Sequence, residues 1–335
     1  MARILFIGRV VPGADSRPDL SRSLSEAGMD VRDLPVPYGS RWLAILRVLM
    51  DRTPYSSIDA VVTTEYNLAF AVSLRMLFVR NKATNIAVGF NLSSRPLQLG
   101  FKPIDVLINR VFGALDIVIV HSNAEVELMS NLHKLDRAKF KFVPWGFDLP
   151  AVNPKSRPNI DTSGPLFCMI GRNNRDFKTF ADAISRTEAR GVIITGGRND
   201  IGTVEETGKL HILRDVAMDE CIGWMTASTA NVILVNDENR GAGHITAVLG
   251  MLLEKPHIFS RVSTLSDYLD DGVHGIAVPV GDAGAVAGAC HALLKDGALA
   301  RKMGKAAKTR AETEFSNEAV RGSILNAILA GINRQ

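Results

Sequence analysis

Short apolar runs rich in Val, Ile and Leu alternate along the chain with longer stretches whose apolar positions recur at helical spacing. In the first half the runs fall at 4–7, 60–62, 86–88, 117–120 and 140–143. In the second they fall at 166–170, 192–195, 211–213, 232–235, 257–259 and 276–278. Runs that are continuous rather than alternating mark strands buried on both faces, the pattern of parallel sheets covered by helices. The expected fold class is therefore α/β, with two doubly wound units in tandem. Between them stand Pro144, Pro150, Pro154, Pro158 and Pro165 with Asn, Ser, Asp and Gly around them, which reads as a linker with a boundary near residue 155.

The length of 335 residues suits two domains of ~150 residues each. A composition 46% hydrophobic and 22% charged excludes a disordered or fibrous chain. Cys168, Cys221 and Cys290 have neither zinc-site spacing nor the density of a secreted disulfide scaffold, and read as small core residues in a reducing compartment. The opening Met1-Ala2-Arg3 runs straight into an apolar stretch too short for a signal peptide, and nowhere do ~20 apolar residues follow one another. The expected location is the cytoplasm.

Open parallel sheets bind ligands beyond the carboxyl ends of their strands, so the loops there carry the candidate chemistry. Gly8-Arg9-Val10-Val11-Pro12-Gly13 follows the first run. It is not the G-x-G-x-x-G fingerprint, and no acidic residue ends a second strand, which argues against a nicotinamide cofactor. Gly8 and Gly13 are either ligand contacts or turn residues. In the second half, 171–178 follows a strand and opens a helix with three cations, Arg172, Arg175 and Lys178. Cations there oppose the helix dipole unless an anion compensates. Further on, Asp237-Glu238-Asn239-Arg240-Gly241-Ala242-Gly243-His244-Ile245-Thr246 links an apolar run to a helix. A strand, a Gly-rich turn and a helix N-terminus in that order predict a phosphate site.

Charge divides unevenly. Residues 1–150 hold 18 Lys and Arg against 14 Asp and Glu, the rest hold 21 of each, and the net charge of +4 belongs to the first half. Several of these cations interleave with bulky apolar residues, as in 41–50 and 74–80. Such segments are either amphipathic helices packed on a sheet or helices lying on an anionic membrane surface. The basic residues are scattered and form no reader motif, so nucleic acid is not an expected partner. No Asp-x-Asp pair or His/Cys cluster is spaced to hold a metal.

The second half, over 166–315, resembles the nucleotide-sugar-binding domain of GT-B glycosyltransferases, in particular glycosyltransferase family 4. The motifs stand in family order: Gly171-Arg172 to Lys178, then Gly241-Ala242-Gly243-His244-Ile245-Thr246, then Lys255-Pro256-His257-Ile258. They continue with Asp271-Gly272-Val273-His274-Gly275-Ile276-Ala277-Val278-Pro279-Val280-Gly281-Asp282 and a charged helix ending near Glu314-Phe315-Ser316. The first half matches loosely, at Val118-Ile119-Val120-His121-Ser122 and at Phe142-Val143-Pro144-Trp145-Gly146-Phe147-Asp148.

The resemblance implies two Rossmann-like domains with a cleft between them: 1–155 for the acceptor, 156–315 for the donor, and 316–335 as a helix that packs back on the first domain. It implies a transferase that moves a sugar from a UDP- or GDP-sugar to a saccharide or lipid-linked acceptor, retaining, without metal or other cofactor. Arg172 and Lys178 match the residues that stabilise the leaving diphosphate, with Arg175 able to replace either. Gly171, Gly241, Gly243, His244, Ile245 and Thr246 line the same site. Read without the resemblance, His244 is a capping or solvent-facing histidine.

Two glutamates usual in the family are absent here, the aligned positions being Gly241 and Leu249. Glu238 is the nearby substitute for a ribose contact. A first-domain histidine is also missing, since the strand at 86–88 leads through Gly89-Phe90 into Asn91, which takes its place as a donor contact. These losses leave open a catalytically silent GT-B protein that binds a nucleotide or a partner; a GT-B sugar-nucleotide epimerase is the alternative among enzymes. An inverting reaction would need a general base, for which Glu65 is best placed, with His121 and Asp15 behind it. Each of these three also reads as a cap or surface polar residue.

Overall fold

The computed structural model describes residues 1–10, 19–37, 40–78, 83–90, 102–150, 164–197, 201–236 and 241–333. The chain divides into two units, Met1–Pro144 with Val320–Gln335, and Trp145–Ala319. Most of the proline-rich stretch, 151–163, lies outside the described residues.

The first unit runs β1 Arg3–Val10, α1 Asp19–Glu26, β2 Asp30–Pro37, α2 Arg41–Leu49, β3 Ala60–Thr63, α3 Tyr66–Phe78, β4 Thr84–Val88, α4 Lys102–Phe112, β5 Ile117–Val120, α5 Asn123–His133 and β6 Phe140–Phe142. All six strands are parallel, in the order β2-β1-β3-β4-β5-β6. The two-residue period of a strand sends Leu5 and Ile7 of β1 to one face, beneath Ala44 and Val48 of α2 and Leu68 and Val72 of α3. Ile4 and Phe6 go to the other, beneath Leu24 of α1 and, from the C-terminal segment, Val320 and Ile328. Both faces are covered, which is why the run 4–7 is continuous rather than alternating.

One expectation is corrected here, and one strand is added. Gly8 does not open a turn: β1 continues to Val10, with Gly8 in register opposite Pro35. The partner that prolongs it, β2, is absent from the sequence reading because Asp30-Val31-Arg32-Asp33-Leu34-Pro35-Val36-Pro37 is punctuated by charges and two prolines. Proline cannot donate to a ladder and is tolerated on an edge strand, where β2 lies.

The second unit runs β7 Leu166–Ile170, α6 Phe177–Ser185, β8 Arg190–Thr195, β9 Leu210–Arg214, α7 Met218–Ala227, β10 Ala230–Ile233, α8 His244–Leu252, β11 His257–Ser260, β12 Gly275–Val278, α9 Ala283–Lys295 and α10 Gly297–Glu314. A last helix, α11 Asn317–Ile332, carries the chain from Val320 onward into the first unit. The strands are again six and parallel, ordered β12-β11-β10-β7-β8-β9. Phe167 and Met169 of β7 pack under α6 and α9, while Cys168 faces Ile222 and Met225 of α7.

Each sheet has one point where the strand order reverses. In the first unit it lies between β1 and β3, and in the second between β7 and β10. Loops leaving two such neighbouring strands go to opposite faces and leave a crevice at the carboxyl edge, the usual ligand position of an open α/β sheet.

Candidate functional site

At the second unit's reversal point, three segments meet: the end of β7, the loop 171–176, and the N-terminus of α8. Arg175 joins them. Its Nε donates to the Ile170 carbonyl at 3.3 Å, its Nη1 to the Asn173 carbonyl at 2.9 Å, and its Nη2 to Thr246 Oγ1 at 3.4 Å. Thr246 Oγ1 itself donates to the Ile170 carbonyl at 3.5 Å. A side chain on Gly171 would collide with the Arg175 guanidinium, so glycine at 171 is the space that the arginine occupies. The loop is fixed from both ends. Asp176 caps α6 by accepting from the Thr179 N–H at 3.0 Å, and the Asp176 N–H donates to the Leu234 carbonyl at 3.1 Å.

Gly243 begins α8 at φ +97 with no side-chain cap. Both its conformation and its surroundings require glycine, since a Cβ would lie 2.7 Å from Ile233 Cγ2 and 3.3 Å from Leu265 Cδ2. A helix N-terminus capped by glycine brings backbone N–H groups rather than a side chain to the crevice, and these suit an anion. Thr246 is in the first turn, beside the Arg175 guanidinium. Ile245 is exposed, and Gly241 is buried just ahead of the turn. His244 is buried: its ring stacks on Tyr268 at 4.7 Å, and its Nε2 donates to the Thr264 carbonyl at 2.9 Å. It anchors the start of α8 from within.

The other two cations diverge. Arg172 is exposed and runs past Gly196 at the end of β8, where a Cβ would lie 3.5 Å from its Cδ and Nε. Lys178 points outward from α6, pairs with Asp182 one turn on, and faces a surface hollow that it shares with Glu205 and Lys209. Of the three cations expected around a diphosphate, Arg175 is the one joined to Thr246.

Sequence reading missed the residues that hold α8 against the sheet. Asn231 of β10 and His257 of β11 stand opposite each other in register, both fully buried. Asn231 Nδ2 donates to the Thr246 carbonyl at 3.1 Å and His257 Nε2 to the Ala247 carbonyl at 3.2 Å. Burial pushes the His257 imidazole down to about 4, so it is neutral and keeps an N–H to give. A Cβ on Gly250 would lie 2.6 Å from Asn231 Nδ2 and 2.7 Å from His257 Nε2, which is why the helix can approach so closely only with glycine there. The available signal was two polar residues inside otherwise apolar strands and one glycine inside a helix. Leu249, at the aligned glutamate position, packs in the core beside Cys168 and Met225.

At the first unit's reversal point the chemistry differs. Arg9, near the end of β1, donates from Nε to the Glu65 carboxylate at 2.8 Å across the gap to the loop after β3. Glu65 is therefore engaged by a cation rather than set alone over the crevice. His121, after β5, is buried, with Nδ1 donating to the Val143 carbonyl at 2.8 Å; burial lowers it to about 4 and it is neutral. Its Nε2 is beside Gly89, where a Cβ would lie 3.4 Å away. Gly13, Asp15, Asn91 and Glu238 lie outside the described residues. Among the described residues, no three His, Cys, Asp or Glu side chains gather in a way that would hold a metal ion.

No protein-family model matches the sequence, and a search of curated proteins finds no relative. Solved structures do match in fold. Sucrose-phosphate synthase from Thermosynechococcus elongatus superimposes with a TM-score of 0.76 at 16% identity, over 98% of this chain and 100% of that one. Anabaena HepE in complex with UDP gives 0.72 at 12% identity, over 98% and 100%. The lipopolysaccharide outer core galactosyltransferase WaaB, in its apo form, gives 0.64 at 14% identity, over 98% and 99%. With two parallel six-stranded sheets flanked by helices, and near-complete coverage of these glycosyltransferases, the chain has the GT-B fold.

Proposed function

We propose that this protein is a glycosyltransferase that takes its sugar from a nucleoside diphosphate donor, with the diphosphate bound at the reversal point of the second unit. The observation that carries the reading is Arg175, whose guanidinium joins the end of β7 to Thr246 in the first turn of α8. Anabaena HepE, with the same fold, has been solved with UDP and with UDP-glucose, which supports a UDP-sugar as donor; a GDP-sugar is the other candidate.

In this reading the α8 N–H groups and the Thr246 hydroxyl hold the phosphates, with Arg175 beside them and Arg172 at the rim. As the glycosidic bond to the diphosphate breaks, negative charge grows on the leaving oxygen. Guanidinium groups and helix N–H groups already aimed there stabilise that charge more in the transition state than in the bound donor. Retention follows if the leaving phosphate takes the acceptor's proton on the face from which it departs, and no side-chain base is then needed. An inverting course would use a base, and Glu65, paired with Arg9, is its carboxylate candidate. The first unit would take the acceptor, a saccharide or a lipid-linked one, and no metal enters the scheme.

A second reading, a silent nucleotide-binding partner, is favoured by one feature: Leu249 is buried in packing where family members offer a carboxylate. A thermal-shift panel with UDP, GDP, ADP, TDP and CMP, with donor hydrolysis followed in parallel, separates the two. A nucleotide at 100 times its Kd adds about 2.7 kcal/mol of stability. The enzyme reading predicts stabilisation by one diphosphate together with slow hydrolysis of the matching sugar donor. Stabilisation without hydrolysis or transfer supports the silent partner, and no shift with any nucleotide overturns both.

A further inference from the structure

The helix α2 has one face in the core and another that is exposed among the described residues. Ala44, Ile45 and Val48 are buried against Leu5, Ile7 and Val61. On the outer side Trp42, Leu43, Leu46, Leu49 and Met50 are exposed, Trp42 by 61% and Leu43 by 63%. Their spacing of three and four residues lines them up along the helix. At the end of the neighbouring α3, Leu77 and Phe78 are exposed as well, Phe78 by 83%. Arg75 ties the two helices together there by donating to the Val48 carbonyl at 3.3 Å. This concentration of large apolar side chains on a water-facing helix is far from the scattered exposure of an ordinary surface.

Charge selects the occupant. Arg41 and Arg47 flank the stripe, with the Arg41 guanidinium 5.0 Å from the centre of the Trp42 ring. Neither α2 nor α3 contains a single Asp or Glu. A second copy of this chain docked face to face would set these arginines against one another with no carboxylate from either helix to answer them. An anionic bilayer answers them everywhere: apolar side chains and the Trp ring enter the interface while arginines remain at the headgroups. Among the described residues no helix is long and apolar enough to cross a membrane, so such a helix lies on the surface.

We propose that α2, extended by the end of α3, docks the first unit onto an anionic lipid surface through Trp42, Leu43, Leu46 and Met50 with Arg41 and Arg47. The inference rests on the first unit alone and stands whether or not the second unit binds a nucleotide.

The test is sedimentation of the full chain with vesicles of phosphatidylcholine containing or lacking phosphatidylglycerol, at low and high salt. The proposal expects binding to the anionic vesicles that falls at high salt, and weak binding to neutral ones. R41E/R47E should lower the partition coefficient by at least about tenfold. L43S/L46S should lower it with the arginines intact. Leu43, Leu46 and Arg47 are exposed and Arg41 is half-buried outside the core, so thermal melting and nucleotide binding should stay close to the wild type. Equal binding to neutral vesicles, no binding to anionic ones at low salt, or binding indifferent to both double variants would overturn the proposal. So would a stable dimer in solution that L43S/L46S dissociates.

Discussion

The two units place an arginine at the same topological position and treat it differently. Arg9 of the first unit reaches across its reversal point to a carboxylate, Glu65. Arg175 of the second holds the Ile170 carbonyl at the end of its own strand and reaches across to Thr246 Oγ1. An ion pair holds a guanidinium against a carboxylate, whereas hydrogen bonds to a carbonyl and a hydroxyl fix its direction. The first arrangement ties the end of β1 to the loop after β3; the second sets a guanidinium beside a helix N-terminus, where the proposed anion would sit.

The comparison breaks most sharply at Arg175. Arg175→Ala should lower kcat by about 10²–10³, the usual cost of removing a group aimed at developing negative charge. Lys178→Ala, on the outer side of α6 in an exposed pair with Asp182, should change kcat by less than about threefold. Steady-state kinetics with the donor identified by the nucleotide panel checks both.

A smaller effect tests how α8 is seated. Gly250→Ala would drive a methyl into Asn231 Nδ2 and His257 Nε2, and should cost about 1–3 kcal/mol of stability, read from urea midpoints. Donor affinity should fall with it, because the same contacts set the position of Thr246. A stable variant with unchanged affinity would show that the Asn231 and His257 contacts do not position the site.

Acid comes next. His121, His133 and His257 are each lowered by burial from the ordinary 6.5 to about 4. Between those values the unfolded chain takes up protons that the folded chain does not, so stability is full above about pH 6.5 and falls as pH drops toward 4. Each histidine should contribute about 1 kcal/mol of loss between pH 6.5 and 5.5, measured as urea midpoints across that range. A midpoint independent of pH there would mean that these imidazoles are not buried as described.

The smallest effect is expected at the first unit's pair. Glu65→Gln removes a half-exposed carboxylate from Arg9 and should cost at most about 1 kcal/mol. Under retention, kcat should hardly move. A fall of about a hundredfold would instead make Glu65 the base of an inverting enzyme.

Much of this architecture was written in hydrophobic period. Runs such as 4–7, 166–170 and 276–278 are strands with both faces covered, and their short length and β-branched residues set them apart from a buried helix such as α8. What escaped was decided by neighbours. β2 has a strand's alternation, but its prolines fit only because no strand lies beyond it. Gly8 belongs to β1 because β2 is there to pair with it. In the site, the loop's cation count was legible but its directions were not. Arg175 turns inward because Gly171 leaves room, while Lys178 begins the exposed side of α6. His244 looked like a loop residue and is an internal anchor, since Tyr268 and Thr264 arrive from a segment twenty residues on.

In the proposed site Arg175, and not Lys178, meets the diphosphate. Isothermal titration of UDP and GDP into the wild type, Arg175→Ala and Lys178→Ala tests it directly. The account predicts that one nucleotide binds the wild type and Lys178→Ala alike, and binds Arg175→Ala at least about tenfold more weakly, as expected for loss of a charge-assisted contact. Unchanged affinity in Arg175→Ala, with binding lost in Lys178→Ala, would contradict it.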